Sequence, residues 1–316
     1  MENFIYSLNV TLPVFLLMVI GWFLKHIKIL DDGFISTCNK FNFKVTIPFL
    51  LIRNIADTDI REVFDGTFVC FCMAATTICF WSIWGLSRKL IKDKNIIGAF
   101  VQASFRGGAT IFGVAFMDRL FGQSAIGPLM VAVTAPLYNI YAVLLMSFEG
   151  KDQENENRKE KIWEAIKNII KNPIILGILV GMILSLSRIQ LPVILDETVT
   201  SLAQLATPLA LITLGAGFQG KKALNKIQPT ILSAVIKLIL QGAVFLPIAI
   251  YFGFTGEKLA AIMIMLTAPT APISYIMAKN MKQDSVLAAS TIVATTFLSA
   301  FTMTGWVYLL KTLNLL

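Results

Sequence analysis

Four basic side chains interrupt otherwise apolar stretches of this chain: Lys40, Lys44, Arg106 and Lys237. An ionised side chain in hydrocarbon costs roughly 2.5–3.5 kcal/mol on insertion scales, so residues of this kind are functional or paired. No Asp or Glu lies deep in any apolar run, so the cations lack a carboxylate of their own. Unbalanced buried positive charge suits an anion as the natural occupant. Arg106 is the most informative of the four. It sits mid-run in Ser104-Phe105-Arg106-Gly107-Gly108-Ala109-Thr110. Two adjacent glycines weaken a helix and let a ligand approach the backbone. A second run reads Thr267-Ala268-Pro269-Thr270-Ala271-Pro272 at its centre. Its two prolines remove two backbone donors and break the helix there.

Interrupted segments at matching depths in two halves of a chain are the sequence mark of a transporter binding site. Half-helix amino ends would aim positive dipoles and free N–H groups at a bound anion. On this reading Arg106 supplies charge, while Gly107, Gly108, Thr267, Pro269 and Pro272 open the backbone. Thr110 and Thr270 add hydroxyl hydrogen bonds. Lys44 shares a helical face with Lys40, with Asn42 between them, and Lys237 precedes Gln241 by one turn. Asn139, and Gln204 with Thr207, are further polar candidates. Blander roles compete with each of these. Gly and Pro kinks are common in membrane helices, lysines near a span end snorkel to the interface, and Lys237 suits a purely structural interhelical bond. His26, the only histidine, sits at a span end and receives no role.

The elements that must hold these residues are apolar and numerous. The chain of 316 residues is 56% hydrophobic and 15% charged, with a mean hydropathy of +0.73, which excludes a soluble domain. A helix needs about 20 apolar residues to cross a bilayer. Ten runs meet or approach that length: 4–24, 34–52, 67–87, 96–117, 126–147, 173–187, 197–218, 229–252, 257–278 and 286–310. The expected fold is therefore an all-α integral membrane protein of ten transmembrane helices. The N-terminus reads as the first permanent span rather than a signal peptide, having no basic n-region. Residues 149–171 form the one hydrophilic block and read as a flexible cytoplasmic linker with solvated charges. The cysteines Cys38, Cys70, Cys72 and Cys79 read as small core hydrophobes.

The net charge of +8 does not signal nucleic acid, because the basic residues lie in short loops between apolar runs. Alternate loops, beginning with 25–33, carry seventeen Lys and Arg against six in the others and the ends. The positive-inside rule makes the richer loops cytoplasmic, which leaves both termini extracytoplasmic in a multi-pass protein of the cell membrane. The two halves also echo each other at an offset of 160 residues. Pro13 and Gly21 match Pro173 and Gly181, Pro48 matches Pro208, Thr110 matches Thr270, and Gln123 matches Gln283. Each half holds five spans, an odd number, so the second must enter the membrane inverted. The expected organisation is a first five-helix repeat at 1–148, the linker at 149–171, and a second, inverted repeat at 172–316. Helices 4 and 9 are the broken pair, and rocking one repeat against the other provides alternating access.

The motifs at these breaks resemble those of the auxin efflux carrier family, in its bacterial malate permease-like branch. The resemblance covers essentially the whole chain. It rests on Phe43-Lys44-Val45-Thr46-Ile47-Pro48-Phe49-Leu50-Leu51, on Phe105-Arg106-Gly107-Gly108 and Gly113, and on Phe121-Gly122. Ala268-Pro269 and Thr295-Thr296-Phe297-Leu298-Ser299 complete it. Relatives commonly carry Asn in the first crossover helix and Pro just after it. Here those neighbourhoods hold Gly107, Gly108 and Ala109, then Val114 and Ala115. The resemblance implies two inverted five-helix repeats with a scaffold and a transport domain, crossing broken helices, and transport of organic anions. It also implies a fold shared with bile-acid/sodium symporters and sodium/proton antiporters.

The resulting expectation is a secondary transporter of a small organic anion, such as malate or an auxin-like acid, working in a lipid bilayer. A cation-coupled symporter of another organic anion, and a channel or anion-sensing membrane module, are the alternatives. An enzyme is not expected: the spans hold no deep Asp pair for an aspartyl protease, one histidine is too few for metal chemistry, and a serine nucleophile would lack its base. No cofactor is expected. The residues assign neither sodium nor proton coupling, and they leave oligomeric state open, a homodimer included.

Overall fold

The computed structural model describes residues 2–56, 65–108, 116–117, 120–121, 126–149, 170–187 and 191–316. Among them every regular element is helical, and the only β feature is an isolated bridge between Gly107 and Thr270. The helices are α1 (Glu2–His26), α2 (Asp32–Phe41), α3 (Ile47–Ala56), α4 (Gly66–Leu90), α5 (Ile97–Phe105), α6 (Ile126–Phe148) and α7 (Pro173–Ser187). They continue as α8 (Val193–Ala216), α9 (Gly220–Leu224), α10 (Ile227–Val235), α11 (Gln241–Tyr251), α12 (Gly256–Thr267), α13 (Ile273–Asn280) and α14 (Ser285–Thr312). Aspartates start three of them: Asp31, Asp65 and Asp284 accept hydrogen bonds from the amides of Phe34, Phe68 and Leu287 at 2.6, 3.0 and 2.9 Å. Each carboxylate satisfies an orphan donor and faces the positive end of its helix.

Among the described residues five stretches are long and apolar enough to cross a membrane: Gly66–Leu90, Ile126–Phe148, Val193–Ala216, Ile227–Tyr251 and Ser285–Thr312. Leu12–His26 and Pro173–Ser187 are shorter apolar helices. Two of the apolar runs contain a wider π-helical turn that the sequence did not announce. One, Asn42–Thr46, joins α2 to α3, and the other, Ile236–Leu240, joins α10 to α11. In the first, the Asn42 side chain accepts from the Thr46 hydroxyl and donates to the Ala206 carbonyl at 3.0 Å. Side chains turned inward in this way explain the local widening of the ladder.

The polarity of the molecule is that of a membrane protein. Trp22, Phe23, Trp81, Leu86, Ile183 and Val193 are exposed, whereas Asn42, Gln102, Arg106, Asn139, Lys237 and Gln241 are buried. Lipid accepts the apolar exterior, and polar side chains must find partners inside. Every residue of α5 and the whole of α12 from Leu259 onward is buried, so these two short helices form the centre.

Glycines set the closest helix contacts. A Cβ on Gly21 of α1 would collide with the backbone carbonyl of Ile212 on α8, and one on Gly215 of α8 with that of Met18 on α1. A Cβ on Gly181 of α7 would lie 3.2 Å from the backbone of Ile52 on α3. Small residues that let backbones approach are how helices associate in lipid.

Two sequence expectations need correction. Glu149, read as part of a solvated linker, has a side chain only 9% exposed, and it accepts from Trp84 Nε1 at 2.7 Å and Arg88 Nε at 2.5 Å. The indole N–H of Trp84 and the guanidinium of Arg88 hold the carboxylate in, while the Arg88 side chain itself stays 54% exposed. Cys70 is exposed on the apolar flank rather than buried with Cys38, Cys72 and Cys79. Residues 150–169 of the linker lie outside the described residues.

Candidate functional site

Helix α5 stops at Phe105, and Arg106 turns the chain into an extended conformation at φ −88 and ψ 114. Helix α12 stops at Thr267, and Ala268 turns likewise at φ −60 and ψ 147. The two unwound segments meet. Gly107 pairs antiparallel with Thr270, and the Gly108 amide donates to the Pro269 carbonyl at 2.7 Å. Pro269 has no N–H of its own, so it meets the glycine strand as an acceptor only. A Cβ on Gly107 would lie 3.1 Å from both the Met265 carbonyl and Lys237 Nζ, so a side chain here would crowd both groups.

Both α5 and α12 reach the crossing with their carboxyl ends, whose last carbonyls lack intrahelical donors. Other elements supply them. The Thr270 hydroxyl donates to the Ala103 carbonyl and Gln241 Nε2 to the Ser104 carbonyl, each at 2.7 Å. Lys237 Nζ donates to the carbonyls of Leu266 at 2.8 Å and Met265 at 3.3 Å, and to Gln241 Oε1 at 3.2 Å. The Tyr138 hydroxyl also donates to the Met265 carbonyl, at 3.3 Å. The amino end of α13 adjoins the crossing through Pro272 and Ile273.

Beside the crossing lies a cavity of about 270 Å³, lined by Ile47, Leu50, Asn54, Tyr138, Thr207 and Ala271, with Arg106, Gly107, Gly108, Asn139 and Pro272. The Arg106 side chain is buried, yet it borders this space. Arg106 donates to Asn139 Oδ1 at 2.8 Å and to the Met277 sulfur at 3.2 Å, and Asn139 Nδ2 donates onward to the Ala135 carbonyl at 2.7 Å. Among the described residues no carboxylate pairs with Arg106 or with Lys237. The carboxylate ion pairs sit elsewhere: Arg53 with Asp196, Lys258 with Asp65, and Lys226 with Asp284. A positive fork held by neutral partners at the edge of a cavity can receive an anion.

The structure thus brings Arg106, Gly107, Gly108, Asn139 and Pro272 to one cavity. Pro269 and Thr270 build the crossing itself, and Thr267 bonds its hydroxyl to the Met263 carbonyl at 2.8 Å in the buried wall behind. Lys237 faces helix-end carbonyls rather than the cavity. Lys44 is exposed, as is Lys40. Thr110 and Gln123 lie outside the described residues. Sequence reasoning missed Asn54, Tyr138 and Met277. Their only available signal was a polar or soft atom within an apolar run, which is too common to single them out.

Comparison with known proteins places this geometry. The family model described as "Membrane transport protein" matches residues 6–307. An uncharacterized transporter of Methanocaldococcus jannaschii is 20% identical over 96% of this chain and 98% of its own length. A Rhizobium meliloti protein named "Putative malonate transporter" is 21% identical over 96% of this chain and 95% of its own. Among solved structures, the sodium proton antiporter MjNhaP1 of Methanocaldococcus jannaschii shares the fold with a TM-score of 0.61 at 13% identity, covering 96% of this chain and 97% of that one. The chain is accordingly a multi-pass membrane transporter, and it belongs to the membrane transport protein family, the auxin efflux carriers that its broken-helix motifs resemble.

Proposed function

We propose that this protein carries a small organic anion, a short dicarboxylate such as malonate or malate, across the cell membrane by alternating access. The observation that carries this reading is Arg106: a buried guanidinium with neutral partners, opening on a cavity at the meeting point of two broken helices. The cavity, at about 270 Å³, lies just under the roughly 300 Å³ at which pockets for drug-sized ligands begin. That volume fits a solute of a few carbons better than a sterol or a nucleotide. Asn139 orients the guanidinium, Gly107 and Gly108 bring backbone close to the solute, and Pro272 closes the far side. Thr267, Pro269 and Thr270 hold the crossing in place. Lys44 acts from the exposed side of the widened turn at Asn42–Thr46, by drawing anions toward it. The relative named for malonate transport supports a dicarboxylate.

Ten spans in two inverted repeats, at 1–148 and 172–316 with a cytoplasmic linker at 149–171, complete the proposal. Contacts between the halves support it. Gly21 packs on Ile212 and Gly181 packs on Ile52, and these are the same contact with the halves exchanged under the 160-residue shift. Reciprocal contacts of this kind are the mark of a two-fold relation. The antiparallel bridge of Gly107 with Thr270 adds that the matched breaks run in opposite directions where they meet. Both termini then lie outside the cell, and rocking the halves exposes the cavity alternately.

The test is counterflow in proteoliposomes. Internal unlabelled malonate or malate should accelerate entry of the labelled acid, and the acceleration should saturate. Uptake that shows neither property would identify a channel instead, and the absence of any uptake a sensing module.

A further inference from the structure

The carbonyls freed at the break of α12 meet an occupant of the chain's own making. The carboxyl end of α12 is the negative end of a helix dipole, buried at the centre of the protein. Its carbonyls at Met265 and Leu266, with Gln241 Oε1, form a three-oxygen seat, and Lys237 Nζ fills it at 3.3, 2.8 and 3.2 Å. An ammonium has three N–H donors and no acceptor, so three acceptors and three donors match one for one. The lysine is fully buried, it reaches the seat from the widened turn at Ile236–Leu240, and no carboxylate pairs with it among the described residues. Gln241 joins the seat to the other broken helix, because its Nε2 donates to the Ser104 carbonyl at 2.7 Å.

We propose that this three-oxygen seat is a monovalent-cation site in which the Lys237 ammonium stands permanently in the place of a dissociable ion. The carrier therefore takes no sodium at the crossing. Its cation is covalently tethered at the negative end of α12, while the neutral Gln241 amide caps the Ser104 carbonyl of α5. A dissociable ion would leave in one of the two access states and couple its gradient to the anion, whereas a tethered one cannot.

The inference stands apart from the identity of the transported anion, and its test uses none. The melting temperature of the purified protein is measured in sodium, methylammonium and choline chloride at equal ionic strength, for wild type and for Lys237→Ala. Wild type should melt at the same temperature in all three. Lys237→Ala should melt several degrees lower in choline, with a saturable recovery in methylammonium and in sodium, ions small enough to enter the vacated seat. Equal melting of Lys237→Ala in the three salts would overturn the proposal. If Lys237→Ala cannot be purified in any salt, the wild-type arm decides. A saturable sodium-specific rise in its melting temperature refutes a permanently filled seat, and a flat response upholds it.

Discussion

Replacing Arg106 with glutamine separates anion binding from folding, and the structure supplies both sides of the balance. In the folded protein the substitution removes a charge whose insertion costs roughly 2.5–3.5 kcal/mol. It also leaves Asn139 Oδ1 without the donor now 2.8 Å away, and an unsatisfied buried acceptor costs about 1–3 kcal/mol. These terms oppose each other and are similar in size. The residual of about 1 kcal/mol, of either sign, moves the melting temperature by roughly 1–2 °C in a protein of 316 residues. Binding has no such offset. A hydrogen bond to a charged group contributes about 1.5–3 kcal/mol, so losing the guanidinium should weaken dicarboxylate affinity by roughly 10- to 150-fold. The assay is a titration of melting temperature with malonate and malate, since a ligand of the folded state stabilises it by RT ln(1 + [L]/Kd). Counterflow follows on the same preparations. Arg106→Lys keeps the charge without the planar fork and should fall between the two. An Arg106→Gln protein that melts like wild type and keeps wild-type affinity would refute the assignment of Arg106 to the site.

Other consequences can be checked in parallel. Gly21→Ala drives a methyl into the Ile212 carbonyl and should cost about 1–3 kcal/mol as overpacking. Gly181→Ala, where the nearest atom is 3.0 Å away, should cost less, and thermal unfolding of the two variants ranks them. Thr270→Val leaves the Ala103 carbonyl without its 2.7 Å donor, a loss of about 1–3 kcal/mol that should lower the melting temperature and slow counterflow through a loosened crossing. Asp65 caps α4 and pairs with Lys258, and the hydrogen bond from Lys258, followed by that from the Phe68 amide, holds its carboxyl below the usual carboxylate range. A depressed folded-state value means the contribution is complete above the unfolded value of 3.8 and is lost as pH falls through the folded value. Wild type should therefore lose more melting temperature than Asp65→Asn on acidification from neutrality to pH values below that point.

How much was legible differs from residue to residue. The glycine pair after Arg106 and the prolines at 269 and 272 marked where α5 and α12 end, because missing side chains and missing donors act locally. The widened turns at Asn42–Thr46 and Ile236–Leu240 left no such mark. They depend on Asn42 finding the Ala206 carbonyl and Lys237 finding those of α12, partners far away in the chain. The difference between Lys44 and Lys237 was partly legible, since a lysine near a span end snorkels and one mid-run needs an interhelical partner: one is exposed and the other fully buried, but the carbonyls that Lys237 meets were hidden.

Composition and local chemistry alone establish a helical membrane protein with cations in apolar runs and two weakened helices, since hydropathy, glycine and proline exert their effects within a few residues. Tertiary packing alone decides that the two weak points touch, that Arg106 opens on a cavity with Asn139 as its partner, and that Lys237 seals a helix end. Those outcomes depend on which distant carbonyl or amide completes each buried hydrogen bond. Away from water such a bond must be made somewhere, but only the assembled helices determine with which residue.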